Sequence, residues 1–155
     1  MKIYFASDHA GFELKNELFA FVRDGLHFEV EDCGAFENNP NDDYPAFIAA
    51  AAHAVSHDVL NGIGNRGIVL GGSGEGEAIV ANKFSGVRAA VYYGGSLDIV
   101  RLSREHNDAN VLSLGARFIS IDDAKNAIRL WLETPFSGEE RHIRRIAQIE
   151  TIAHE

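Results

Sequence analysis

Short runs rich in β-branched and aromatic residues alternate along the chain with longer stretches whose apolar residues recur at helical spacing. The pairs are KIYFAS with GFELKNELFAFVRD, FEVEDCG with PAFIAAAAHAVSHD, GIVLGG with GEAIVANKF, RAAVYY with SLDIVRLSRE, and NVLSLG with DDAKNAIRLWLE. Five β-α repeats predict an α/β fold: a doubly wound, Rossmann-like sheet of five parallel strands flanked by helices. In the first helical stretch Leu14, Leu18, Phe21 and Val22 share one side, leaving Glu13, Asn16 and Arg23 to water. The stretch 45–58 is rich in alanine, which predicts close packing.

Two segments break the repeat. Residues 34–44, GAFENNPNDDY, read as a polar loop, with Pro45 suited to the first position of the next helix. After Thr134-Pro135, S-G-E-E at 137–140 matches a capping box, and Ile143, Ile146, Ile149 and Ile152 recur every third residue. This predicts an extra C-terminal helix with an apolar stripe and no strand after it. The stripe suits packing on its own domain or docking on another subunit.

The length of 155 residues fits one domain, 1–155, with one site. A net charge of -9 argues against general attraction to nucleic acid or an anionic membrane, although a local basic cluster can still bind one small anion. One cysteine excludes an internal disulfide framework, and MKIYFAS carries no long apolar run, so a soluble cytoplasmic protein is expected.

Ligands of open α/β sheets bind at the carboxyl ends of the strands. The loops there carry Ser7-Asp8-His9, Asp42-Asp43-Tyr44, Gly71 to Glu77, and Arg117, with His106 and Asn107 just before the last strand. Asp8, Asp43 and Asn107 taken singly also suit helix caps or turns. Their combination predicts one polar rim.

GGSGEGEAIVANK at 71–83 looks like a phosphate cradle, yet it is not a P-loop, and a G-x-G-x-x-G register from Gly72 meets Glu77 where the third glycine belongs. A pyrophosphate would be repelled by two carboxylates so near. A nest of N–H groups facing a glutamate suits different chemistry, in which the nest stabilises an oxyanion that forms during reaction while the glutamate moves a proton. Helix-start electrostatics accounts well for Glu75 and less well for Glu77.

RHIRR at 141–145 sets Arg141 and Arg145 one turn apart on a helix, a pair able to hold a phosphate or to pair with Glu139 and Glu140. His53 and His57 stand at i, i+4 but lack a third ligand, so no metal is expected. Cys33 ends a strand and reads as a small buried side chain.

The segments SDHAGFELK (7–15), DYP (43–45), GGSGEGEAIVANK (71–83), REHNDANVLSLGAR (104–117) and RHIRR (141–145) together resemble the sugar-phosphate isomerase family containing the B-type ribose-5-phosphate isomerases, allose-6-phosphate isomerase and the galactose-6-phosphate isomerase subunits. The resemblance implies cofactor-independent aldose–ketose isomerisation through an enediolate, in a homodimer or homotetramer whose sites combine two subunits, with the 136–155 helix on a neighbouring subunit. It assigns Asp8 and His9 to the sugar pocket and His106 to ring opening. Gly72, Ser73, Gly74, Gly76 and Asn107 are assigned to the oxyanion, and Arg117, Arg141 and Arg145 to the phosphate. Asp43 and Tyr44 are expected to line the sugar. One branch of the family carries a catalytic cysteine at the position of Gly71; this sequence resembles the branch with a glutamate at Glu77. Ribose 5-phosphate is the expected substrate, with allose 6-phosphate, galactose 6-phosphate or a tetrulose phosphate as alternatives. A non-catalytic phosphosugar sensor ranks below these, since it leaves Glu77 and His106 without a role.

Overall fold

The computed structural model describes residues 1–152. Five strands, β1 (Lys2–Ser7), β2 (Glu29–Asp32), β3 (Arg66–Gly71), β4 (Ala89–Tyr92) and β5 (Val111–Gly115), form one parallel sheet in the order β2-β1-β3-β5-β4. A helix follows each: α1 (Phe12–Ala20), α2 (Tyr44–Leu60), α3 (Glu75–Ala81), α4 (Asp98–Asn107) and α5 (Ile121–Glu133), with α6 (Glu140–Ile152) appended. The first helical stretch ends in a π-helical turn at Phe21–Gly25.

Strand composition follows position. The central strands β1, β3 and β5 are buried almost throughout and read as nearly continuous apolar runs, as strands covered on both faces must. The edge strand β2, EVED, alternates exposed and half-buried residues. Along β1 successive side chains enter opposite layers. Ile3 and Phe5 join Leu18, Val22, Ile128 and Trp131 beneath α1 and α5, while Tyr4 and Ala6 join Ala51, Ala52 and Val55 beneath α2. Each fully buried Ile, Leu or Phe contributes about 1.5–3 kcal/mol, so these two layers hold the sheet rigid under its loops.

Leu18 and Val22 are buried and Leu14 and Phe21 partly so, with Glu13, Asn16 and Arg23 exposed. The helical pattern did not reveal Lys15. It is fully buried, and its Nζ donates to both oxygens of Asp32 at 2.7 Å and to the Ala35 carbonyl at 2.7 Å. This ion pair ties the start of the 34–44 loop to α1.

Pro45 sits in the first turn of α2, as expected. The 137–140 segment departs from a capping box. The Ser137 hydroxyl accepts from the Glu139 amide at 3.3 Å and pairs with His142 Nδ1 at 3.0 Å, so the hydroxyl organises a turn ahead of α6 and fixes a buried histidine. Ile143, Ile149 and Ile152 are 52%, 57% and 70% exposed, and Ile146 is half-buried. The stripe therefore faces mostly away from the chain's own core. Residues 153–155 of the expected 136–155 segment lie outside the described residues. Among the described residues no helix is long and apolar enough to cross a membrane.

From β1 the chain steps to one side for β2 and to the other for β3. The crevice over β1 and β3 is thus the topological switch point, where such sheets bind ligands. The loops after these strands carry Asp8-His9 and Gly71 to Glu77.

Candidate active site

The glycine loop is locked from below. The Gly71 and Gly72 carbonyls accept from the Ala116 and Arg117 amides at 2.8 and 3.1 Å, and Ser113 Oγ donates to the Gly74 carbonyl at 2.6 Å. Gly74 turns the chain into α3 with φ at 82°, a left-handed conformation that glycine adopts without steric cost. Two residues into the helix, the Glu77 side chain folds back under the loop and is 4% exposed. A Cβ at position 71 would lie 1.8 Å from Glu77 Oε1, so the carboxyl group occupies the space that any side chain at 71 would need. Burial pushes the Glu77 carboxyl above its ordinary range and the Asp8 charge adds to this, while the backbone amides of Glu77 and Gly74 pull the other way.

Over Glu77 opens a cavity of about 460 Å³ lined by Asp8, His9, Tyr44, Ser73, Arg117 and Phe118, among others. Ser73 is half-buried and its hydroxyl accepts from the Glu75 amide at 3.3 Å. Glu75 itself points to solvent in the first turn of α3, where the helix dipole favours it. The Tyr44 ring lies against Gly76 and the Arg117 guanidinium against Gly72. Asp8 is 7% exposed, and its Oδ1 accepts from the Ala10 and Gly11 amides at 2.9 and 3.2 Å, so it closes the turn into α1 as well as lining the cavity.

The aspartate that reaches this cluster from the 34–44 loop is Asp42, whereas Asp43 is exposed at the start of α2. Asp42 Oδ1 lies 2.6 Å from His9 Nδ1 and accepts from the His9 amide at 3.1 Å, which fixes the ring. Only the tertiary contact separates these adjacent acids. Asp8, His9 and Asp42 bring potential ligand atoms within 4.8 Å of one another and could hold a cation. The His9–Asp42 bond and the amides on Asp8 already account for that arrangement. His53 packs edge-on against Phe84 and His57 pairs with Asp58, so neither points toward a common centre. The Cys33 thiol is pushed up to about 11, mainly by burial, and stays protonated at neutral pH.

His106 and Asn107 depart from the expected single rim. Helix α4 leaves the carboxyl end of β4 and returns to the amino end of β5, so its last residues lie at the opposite edge of the sheet from Glu77. Asn107 lines a different cavity, of about 380 Å³, with Lys83, Arg88 and Ile149. The half-buried His106 packs against His142 of α6, with ring centroids 4.3 Å apart and ring planes tilted by 44°. Arg141 and Arg145 lie exposed on the same helix, Arg141 Nε donating to Glu139 at 2.8 Å. The chain thus carries two clusters: Asp8, His9, Asp42, Tyr44, Ser73, Glu77 and Arg117 at one rim, and His106, Asn107, Arg141, His142 and Arg145 around α4 and α6.

A model of the ribose/galactose isomerase family matches residues 3–149. The chain belongs to that family.

Among its relatives are ribose-5-phosphate isomerase B of Mycolicibacterium paratuberculosis, 43% identical over 94% of this chain and 87% of that protein, and that of Escherichia coli, 39% identical over 97% and 95%. The fold superposes on ribose-5-phosphate isomerase B of Clostridium thermocellum with a TM-score of 0.89, 41% identity and coverage of 99% and 98%. The Mycoplasma genitalium enzyme, solved with bound ribulose-5-phosphate, gives a TM-score of 0.89, 35% identity and coverage of 99% and 97%. The chain is an isomerase.

Proposed function

We propose that this isomerase interconverts ribose 5-phosphate and ribulose 5-phosphate through an enediolate, with Glu77 as the base. The observation that carries this reading is the buried Glu77 carboxyl, folded under the glycine loop against Gly71 and facing the Gly74 and Glu77 amides, at the floor of the cavity. A carboxylate is too weak a base to remove a proton beside a carbonyl unless the anion is strongly stabilised, so the amides of Gly72 to Gly76 and the Ser73 hydroxyl supply the larger effect.

His106 opens the furanose by proton transfer with the ring oxygen and the C1 hydroxyl. Glu77 then takes the C2 proton to form the enediolate. It returns that proton to C1 while the hydroxyl proton passes from O2 to O1, so the product is an isomer and nothing else is consumed. Asp8, His9 and Tyr44 hold the sugar. Arg117, Arg141 and Arg145 hold the phosphate. No cofactor takes part in any step.

Because the two clusters sit at opposite rims of one chain, the complete site pairs the Glu77 cluster of one subunit with the His106 cluster of another, in a homodimer or in a tetramer of such dimers. The surface between the clusters supports this. Ile79 on α3 is 62% exposed, the edge strand β4 lies beside it, and the Ile149 face of α6 follows. Such a patch suits an isologous contact.

Replacing Glu77 by Gln should lower kcat about 10²–10⁴-fold with the fold retained. Exchange of solvent deuterium into C1 of ribulose 5-phosphate should fall equally. Near-normal turnover in that variant would remove Glu77 from the mechanism.

A further inference from the structure

The end of α4 is held far more tightly than closing a helix requires. Asp108, directly after Asn107, adopts a left-handed conformation with φ at 46°, unusual outside glycine and asparagine. Its carboxylate is gripped by two arginines from different parts of the chain: Arg88 Nη2 donates to Oδ2 at 2.9 Å and Arg104 Nη1 to Oδ1 at 2.8 Å. Arg88 Nε also donates to the carbonyls of Asn107 and Asp108 at 3.0 and 3.1 Å, and its Nη1 to Gly86 and Glu150. Arg104 is 4% exposed; it donates to the Ala109 and Thr134 carbonyls and lies over the Trp131 ring.

Charge-assisted bonds of this kind are short and directional, and a buried guanidinium keeps its place only while its partners keep theirs. The backbone that presents His106 and Asn107 is therefore pinned by the strand-entry residue Arg88 on one side and by the α5-anchored Arg104 on the other. From this geometry, and resting on the role of His106 set out above, we propose that Arg88, Asp108 and Arg104 are positioning residues for ring opening. They set the placement of His106 and Asn107 while leaving the Glu77 half of the site untouched.

The two halves of the reaction can be measured separately. Deuterium exchange at C1 of acyclic ribulose 5-phosphate uses Glu77 and the oxyanion nest, whereas net conversion of ribose 5-phosphate also requires ring opening. Asp108→Asn and Asp108→Gly both tolerate the left-handed backbone; the first removes the charge and one of the two acceptors, the second the whole side chain. In the full-length protein each should lower conversion about 10- to 100-fold, the scale on which misplacement of a reacting group acts. Exchange, to which only Asn107 of this cluster contributes, should fall about 10-fold less than conversion on the same scale. Arg88→Lys, which keeps a charge but loses the fork, should fall between. Equal loss of conversion and exchange, or loss of neither, in both Asp108 variants would overturn the proposal. His106→Ala separates the two failures. If it lowers conversion relative to exchange while the Asp108 variants do not, only the positioning role falls; if it leaves the ratio unchanged, the ring-opening reading falls and the positioning role with it.

Discussion

The two rims of the sheet solve the problem of holding a reactive group in opposite ways. At the carboxyl rim, Glu77 is held by exclusion: glycines remove side chains, backbone amides supply the polarity, and a carboxyl group fills the gap. At the amino rim, His106 and Asn107 stand at a helix end fixed by a web of guanidinium and carboxylate groups. The first arrangement suits a group whose proton affinity must be raised, since burial disfavours the charge. The second suits groups that, as proposed, reach outward to a neighbouring chain, where rigidity has to come from behind. In the proposed site, one subunit supplies the first group and its neighbour the second.

The largest effect should come from filling the excluded space. Gly71→Ala places a methyl where Glu77 Oε1 sits, so kcat should drop about 10²–10⁴-fold, much as if the base were lost. Overpacking should also cost about 1–3 kcal/mol in chemical denaturation. Normal turnover would mean that the carboxylate works from another position. Arg141→Gln and Arg145→Gln probe the other rim: each should raise KM for ribose 5-phosphate about 10-fold or more, as expected for a lost charged hydrogen bond, with kcat little changed. An unmoved KM would give these arginines to the subunit contact alone.

The smallest effect concerns pH. With the Glu77 carboxyl raised by burial, the acid limb of kcat/KM should fall above the ordinary glutamate value of about 4.3. The same shift has a defined sign for stability. The contribution of the protonated carboxyl is full below the unfolded value and is lost as pH rises through the folded one. Glu77→Gln should accordingly flatten the pH dependence of unfolding in that window.

Most of the architecture was legible because a parallel sheet forces a regular alternation of apolar strands and amphipathic helices. Glu77 was legible as an anomaly, a carboxylate inside an apparent anion cradle. Other features were not. Asp42 and Asp43 are chemically identical neighbours, and the direction of the loop decides which one meets His9. Lys15 sits among the core positions of α1, where a cation is unexpected until Asp32 and Ala35 are seen to receive it. The rim of His106 did have a signal in the order of the elements. A helix joining two parallel strands starts at their carboxyl ends and finishes at their amino ends, so a residue just before a strand lies on the far side from one just after it.

Subunit complementation tests the shared site most directly. Glu77→Gln and His106→Ala proteins, each nearly inactive, are mixed in equal amounts, unfolded and refolded together. If the site joins Glu77 of one chain to His106 of another, half of the dimers are mixed, and each mixed dimer has one site with both residues intact. Activity should then recover to about a quarter of wild type. Activity that stays at the level of the separate parents, with mixed dimers shown to have formed, would place both residues in one chain's site and contradict the account.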